Sequence, residues 1–93
     1  MDFGSALAAV KAGHRVRRAG WNGAGMFIFL VQGSRFAVNR APLNQFFPEG
    51  TLVDYHGHID MWTAQGYVVP WLASQADLLA EDWEYANEAM EAG

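Results

Sequence analysis

The sequence predicts an α+β fold in which a small antiparallel sheet carries one helix near the N-terminus and a short helix near the C-terminus. Three observations lead to this class. Apolar residues recur at helical spacing after Asp2 and again around Ser74. Between these segments, short apolar runs of strand length are separated by turn residues, which is the pattern of hairpins and of antiparallel pairing. A length of 93 residues allows a single domain, residues 1–93.

Composition and charge narrow the classes of function. The net charge is −4, which disfavours binding of long nucleic acid, because such binding needs a strongly basic face. All Lys and Arg residues lie in the first half of the chain, whereas acidic residues crowd its end, so we expect a basic patch that suits a small anionic ligand. The lack of cysteine excludes disulfides and thiolate metal sites. Neither a signal peptide nor a membrane span is evident, and we expect an intracellular protein without membrane contact.

The first helix is expected to be capped by Asp2 and to stop at Gly13. It presents Phe3, Leu7 and Val10 on one face. A helix of about ten residues is too short to be stable alone. This face must therefore pack on the sheet.

Residues 14–19 form the first predicted strand, in which Val16 faces away from Arg15 and Arg17. With Arg18, the strand carries three arginines, and they have two interpretations. They protect an exposed edge strand from pairing with other molecules, or they bind phosphate. The sequence alone supports the two interpretations about equally.

A glycine-rich turn, residues 20–25, follows this strand. Its three glycines and the pair Asn22-Gly23 predict a tight turn in which positive φ is available. Such a loop lets a ligand approach the backbone and leaves N–H groups for its oxygens. The turn is not a Walker or dinucleotide fingerprint, because the Lys-Ser/Thr pair and the strand–helix context are missing. Trp21 is not needed for the turn, so it is either a packing residue or a flat surface for a base.

The next run, residues 26–31, is apolar at every position, so we expect both faces of that strand to be covered. The first helix can cover one face, and a second subunit is expected on the other. A turn at Gly33 then leads into a short return strand over residues 35–38. The irregular stretch 39–50 is a candidate lid or subunit contact.

Hairpins and a last strand complete the predicted sheet, and the end of the chain is predicted to be a mobile tail. The strands are residues 51–55, 59–62, 67–69 and 83–85, with turns at 56–58 and 63–66, and the tail is residues 87–93.

The second helix begins at a recognisable cap. Pro70 ends the strand before it, and Ser74 with Asp77 three residues on forms the carboxylate variant of the capping box. One side of the helix is apolar, formed by Leu72, Ala76, Leu79 and Ala80. Trp71 lies beside the helix start, whose free N–H groups and dipole favour an anion. An aromatic surface next to an anion site suits a nucleotide.

No catalytic or metal site is predicted. His56 and His58 lack a third metal ligand at a convincing spacing and are expected to be surface turn residues. A triad built on Ser74 has no nucleophile elbow, and the cap already accounts for this serine. The adjacent carboxylates Glu81 and Asp82 are expected to be solvated. A binding site remains, made from Trp21, loop residues 22–25, Arg17, Arg18, Trp71 and Ser74. Two aromatic surfaces with donors and cations between them could hold a nucleotide without chemistry.

Motifs near both ends of the chain carry a resemblance to a known family. Trp-Asn-Gly-x-Gly-Met occupies residues 21–26, and Pro-Trp-x-x-Ser-Gln-x-Asp-Leu-Leu-Ala-x-Asp-Trp occupies residues 70–83. With the opening Asp-Phe-Gly-x-Ala-Leu at residues 2–7, they bracket the domain. The chain resembles the second type of Thoeris anti-defence protein, a family of small phage and prophage proteins. Residues 32–67 match this family least.

The resemblance implies a molecular sponge. Such proteins are homotetramers that capture glycocyclic ADP-ribose, the signal of the Thoeris TIR enzyme, and hold it intact in the cytoplasm of the infected host. Some members also sequester cyclic dinucleotides at a separate site. Trp21 and Trp71 would clamp the base or lie against the ribose, and Asp77 would be either a polar contact or structural. The candidate ligand-binding residues are Trp21, Asn22, Gly23, Met26, Trp71, Ser74, Gln75 and Asp77, with Arg17 and Arg18 added from charge. Neither a cofactor nor a catalytic residue is implied.

Two further interpretations stay open. In a structural phage protein the tryptophans form core and interface, and Trp71→Ala would then destabilise the assembly. An enzyme that hydrolyses or isomerises the same nucleotide would need a general base, for which His14 and Asp77 are the candidates.

Overall fold

A computed structural model describes residues 1–86, so the predicted tail lies outside the described residues. The α+β class is confirmed: an N-terminal helix, a five-stranded antiparallel sheet, a separate pair of strands and a short second helix. In chain order the elements are α1 (Phe3–Lys11), β1 (Val16–Arg18), β2 (Phe27–Val31), β3 (Ser34–Ala37), a 3₁₀ turn (Leu43–Gln45), β4 (Leu52–Tyr55), β5 (His58–Trp62), β6 (Val68–Pro70), α2 (Gln75–Leu79) and β7 (Trp83–Tyr85).

The ends of α1 are those that the sequence predicts. The Asp2 carboxylate accepts a hydrogen bond from the Ser5 N–H at 2.9 Å, and Gly13 just beyond the helix has φ 99°. Because this φ is in the left-handed region, glycine is favoured there. The fully buried side chains of the helix are Ala6, Ala9 and Val10. Small residues at this contact let the helix axis lie close to the sheet.

The strand order of the main sheet is β6-β5-β2-β1-β7. The interpretation of β1 as an exposed edge strand is therefore wrong. Val16 lies opposite Ile28 on one side and opposite Tyr85 on the other. The strand that covers the expected edge comes from the far end of the chain, and local patterns carry no information about such a pairing.

The paired strands β3 and β4 continue the pair β2–β5 in one register. Val31 pairs with His58, and Ser34 then pairs with Tyr55. The two pairs form one long, interrupted hairpin. We call its outer part, residues 34–55, the arm, and it contributes to a molecular length of 46 Å.

Two predicted hairpin turns, at Gly33 and at Gly57, are consequently wrong. Both glycines lie at the interruption between the main sheet and the arm. A Cβ atom on Gly33 would lie 2.8 Å from the carbonyl oxygen of Tyr55, and one on Gly57 would lie 3.1 Å from that of Val31. The two strands approach here too closely for side chains. Glycine serves this close approach as well as it serves a turn, so the pattern did not distinguish them.

The core lies between α1 and one side of the main sheet. Its largest buried side chains are Trp83, Ile28, Val10 and Val16. The other side of the sheet is covered by neither helix within residues 1–86. We call it the uncovered sheet face, and it carries Phe27, Phe29, Val31, Trp62 and Val68. Trp62 remains 39% exposed. In the same part of the chain, neither helix is long and apolar enough to cross a membrane.

Candidate functional site

Trp83 is the centre of an aromatic cluster near the start of α2. Its ring packs edge-on against Trp21 at a centroid distance of 5.3 Å and against Trp71 at 6.1 Å, with Phe3 at 5.5 Å. Only 2% of Trp83 is exposed, and its indole N–H donates to the carbonyl oxygen of Asp77 at 3.0 Å. The two predicted aromatic surfaces, Trp21 and Trp71, thus both contact Trp83. Sequence reasoning did not single out Trp83 for this role, although it closes the second family motif.

A forked salt bridge joins the β1 strand to the end of the chain. Arg18 donates from Nη1 to Asp77 Oδ1 at 3.0 Å and from Nε to Asp82 Oδ1 at 2.9 Å. We call these three residues the Arg18 network. The side chain of Arg18 is 21% exposed, and those of Asp77 and Asp82 are 12% and 34% exposed. Partial shielding from water makes these charge-assisted hydrogen bonds stronger than exposed ion pairs.

Asp82 also holds the entrance of the glycine-rich loop. Its second oxygen, Oδ2, accepts a hydrogen bond from the Gly20 N–H at 2.8 Å, and its carbonyl oxygen accepts one from the Ala19 N–H at 3.0 Å. A Cβ atom on Gly20 would lie 2.8 Å from Oδ2, so a larger residue there would displace the Asp82 carboxylate from this position. The expectation of a solvated Asp82 is wrong, because pairing of β7 with β1 places it beside Arg18.

Asp77 occupies the first turn of α2 and confirms the predicted capping box. Its backbone N–H donates to Ser74 Oγ at 3.0 Å, and its Oδ2 accepts from the Ser74 N–H at 3.2 Å. Trp21 Nε1 lies 3.4 Å from Oδ1 of the same carboxylate. This carboxylate places a negative charge at the start of a five-residue helix, which disfavours a second anion there. The apolar side of α2 points outward, with Leu72 and Leu79 at 90% and 79% exposure.

The three charges of the Arg18 network hold one another ionised. The hydrogen bond from Arg18 lowers the pKa of Asp82 below its ordinary value. Burial alone would raise the pKa of Asp77, but the hydrogen bonds from Arg18 and Ser74 outweigh it, and the net shift is downward. The Asp82 and Asp77 carboxylates in turn raise the pKa of Arg18. The network therefore carries one positive and two negative charges at neutral pH.

These shifts predict an acid sensitivity. Both folded-state carboxyl pKa values lie below the unfolded value of about 4, so the unfolded chain binds protons first as the pH falls. The stability they contribute is complete above the unfolded pKa and is lost as the pH falls through the folded values. We expect the urea midpoint to drop between pH 5 and pH 3, and the drop to be smaller in the Asp77→Asn/Asp82→Asn double variant. An equal drop in both proteins would assign the acid sensitivity to other carboxylates.

A cavity of about 220 Å³ lies where β1 meets the glycine-rich loop. Its wall contains five of the residues that the sequence predicts as ligand contacts: Arg17, Arg18, Trp21, Gly23 and Met26. Glu84 also lines it and accepts a hydrogen bond from Arg17 Nε at 2.8 Å. A ligand anion would thus meet a guanidinium and a carboxylate together. The volume lies below the roughly 300–1,000 Å³ of typical small-molecule sites.

The remaining predicted contacts are not among the residues that line this cavity. Asn22 is exposed within the loop, Trp71 is half-buried against the aromatic cluster, and Ser74 and Gln75 are exposed at the start of α2. Gly23 is needed for packing, because a Cβ atom there would lie 2.7 Å from the Cβ atom of Ala64. The structure therefore brings the loop, the arginines and Trp21 to one cavity and links the α2 residues to it through Asp77.

The histidines at 56 and 58 were not expected to bind a metal. Within residues 1–86, no group of three or more His, Asp or Glu side chains could hold a metal ion. His58 is the first residue of β5 instead of lying in a turn, and its Nε2 is 3.5 Å from Asp60 Oδ2.

A larger cavity, about 560 Å³, lies in the arm along residues 36–43. It contains none of the predicted contacts.

Comparisons with known proteins extend over the whole described chain. The family model described as the Thoeris anti-defense 2-like domain matches residues 1–86. A protein of Bacillus phage SP01 named "Thoeris anti-defense 2" is 37% identical over 90 residues, which cover 94% of this chain and 96% of that protein. The family match includes α1, the main sheet, the arm and the residues around the 220 Å³ cavity.

Proposed function

The chain belongs to the Thoeris anti-defense 2-like family, and on this premise we propose that it is a phage sponge that binds a cyclic ADP-ribose-type immune signal without cleaving it. The family membership supports a phage anti-Thoeris role. The signal that we propose is glycocyclic ADP-ribose. The single observation that supports this most directly is the convergence of Trp21, Gly23, Met26 and the arginines on one cavity.

The wall of the cavity offers the contacts that such a ligand needs. The half-buried Trp21 ring can stack on a base, and the backbone of the glycine-rich loop can approach phosphate oxygens. We propose that Arg17 supplies the positive charge for the pyrophosphate and that Asn22, Gly23 and Met26 contact the ligand from the loop. On the α2 side, Trp71, Ser74 and Gln75 complete the set.

A second copy of the chain is proposed to enlarge the site. The cavity is small for a nucleotide, and one of its walls, formed by Arg17 and Glu84, lies on the same side of the sheet as the uncovered sheet face. Half-exposed aromatic side chains on that face favour association with another protomer. We therefore propose a homotetramer in which pockets are shared between subunits, and a separate site at which the assembly binds cyclic dinucleotides. Enclosure by two chains would desolvate the phosphates and strengthen each charge-assisted bond.

A sponge acts by mass action, not by turnover. To silence a signal at submicromolar concentration, it needs a binding free energy of roughly −10 kcal/mol or stronger. We propose that the protein is not an enzyme and that it acts in the cytoplasm of the infected bacterium. Ser74 is accounted for by its cap hydrogen bond and Asp77 by its ion pair with Arg18, so neither has to be assigned to chemistry.

One observation favours a second candidate, a structural or interaction protein of the phage. Trp21 and Trp71 both pack against the buried Trp83, as expected for tryptophans that serve the core and an interface. This candidate predicts that replacing either ring lowers stability or assembly and that the protein removes no nucleotide from solution.

The test is to incubate the purified protein with glycocyclic ADP-ribose, remove the protein by filtration, and heat it to release the bound molecule for mass analysis. We expect depletion of the free nucleotide, recovery of the unchanged molecule after heating, and a tetramer by sedimentation equilibrium. Recovery of a changed product would make the protein an enzyme. Absence of depletion would favour the structural candidate.

A further inference from the structure

Arg18 lies between the two halves of the proposed site, the glycine-rich loop and the start of α2. We propose that Arg18 is a positioning residue, which sets the loop through Asp82 and Trp21 through Asp77 and does not itself bind the phosphates. The part of this inference that concerns a ligand rests on the proposed function. The part that concerns the coupling of loop and Trp21 belongs to the free protein.

Each of the two carboxylates uses one oxygen for Arg18 and accepts at least one further hydrogen bond. Asp82 accepts from Arg18 Nε through Oδ1 and from the Gly20 N–H through Oδ2. Asp77 accepts from Arg18 Nη1 through Oδ1, which Trp21 Nε1 also approaches. One planar guanidinium therefore fixes the distance between the loop entrance and the indole ring.

The same geometry argues against a phosphate contact at Arg18. Two carboxylate oxygens lie within 3.0 Å of its nitrogens, so a phosphate placed there would be repelled by two negative charges and attracted by one positive charge. A lysine could supply the same charge. Only arginine has rigidly spaced donors that reach two carboxylates at once.

Arg17 provides the comparison, because neighbouring residues of a strand point to opposite faces. It pairs with Glu84 on the cavity wall, with 2.8 Å between Arg17 Nε and Glu84 Oε2. If Arg17 meets the phosphates and Arg18 positions the loop, the two arginines must respond differently to salt and to replacement by lysine.

The experiment measures the dissociation constant of glycocyclic ADP-ribose at several salt concentrations for the wild type, Arg18→Lys, Arg18→Gln and Arg17→Gln. We expect both Arg18 variants to weaken binding about tenfold to a hundredfold, the range for losing charged hydrogen bonds. The slope of the logarithm of the dissociation constant against the logarithm of the salt concentration should stay unchanged. Arg17→Gln should lower that slope, because it removes an ionic contact with the ligand. Wild-type affinity in Arg18→Lys, together with a lower slope in Arg18→Gln, would overturn the proposal and make Arg18 a phosphate contact.

A second measurement needs no ligand. The indole N–H resonance of Trp21, assigned by its loss in Trp21→Phe, is followed by NMR in the free Asp82→Asn protein. Asp82 bonds both to Gly20, the neighbour of Trp21, and to Arg18, so the same resonance is also followed in Arg18→Gln, which keeps the Asp82 carboxylate beside Gly20. A shifted Trp21 resonance in both folded variants would show coupling through Arg18. An unmoved resonance would contradict the inference. If the wild type fails to bind the nucleotide while this resonance moves, the proposed function is wrong and the coupling stands.

Discussion

Trp83→Ala is expected to lower the free energy of unfolding by about 3–5 kcal/mol, the usual cost of deleting a large buried aromatic side chain. A small domain has about 5–15 kcal/mol in total, so this loss is a large part of the stability of the chain. Three aromatic rings pack against Trp83, and its indole N–H satisfies the carbonyl oxygen of Asp77. Urea unfolding followed by circular dichroism measures the loss.

Two further variants isolate the cause. Trp83→Phe keeps a ring but removes the N–H donor. We expect it to lower the free energy of unfolding by about 1–3 kcal/mol, less than the alanine variant does. Tyr67→Ala removes an aromatic ring that is 66% exposed, and it should change stability by less than about 1 kcal/mol. A small effect of Trp83→Ala would show that the aromatic cluster is not the centre of the core.

Trp21→Ala is expected to weaken binding of glycocyclic ADP-ribose roughly 5- to 150-fold, in line with the 1–3 kcal/mol that a stacked aromatic ring contributes per base. The ring lines the cavity and would face the base. Isothermal titration calorimetry gives the dissociation constant. Tyr67→Ala is the matched control, because it removes an exposed ring elsewhere and should leave the affinity unchanged.

Packing and stacking must be separated in the Trp21 variant. Trp21 also contacts Trp83, so some loss of stability is expected in addition to the loss of affinity. The structural candidate predicts a loss of stability alone. The fraction of folded protein is therefore measured first by near-ultraviolet circular dichroism, and the affinity is expressed per folded molecule. An unchanged affinity on that basis would remove Trp21 from the ligand site.

The sequence was sufficient for the features that depend on a few neighbouring residues. The Asp2 cap, the left-handed Gly13 and the Ser74–Asp77 capping box were all predicted and confirmed. The β5–β6 hairpin and the last strand were predicted as well. In each case the hydrogen bonds or backbone angles that decide the structure lie within about five residues, so the local pattern contains them.

The family resemblance extended the prediction from local structure to function. The motifs at residues 21–26 and 70–83 identified the family that the comparisons confirm. They also located Trp21, Gly23 and Met26, which the structure places on one cavity wall. The motifs did not reveal that their last two residues contact the glycine-rich loop: Asp82 bonds to Gly20, and Trp83 packs against Trp21.

Only the tertiary structure decided the partners of these residues. Arg18 lies 64 residues from Asp82 and 59 from Asp77 along the chain. The pairing of β1 with β7, which brings them together, was not visible in either strand. Nor could the sequence distinguish the interruption at Gly33 and Gly57 from two turns. Long-range pairing depends on how all the elements share one core, and a single sequence records local preferences more directly than that packing.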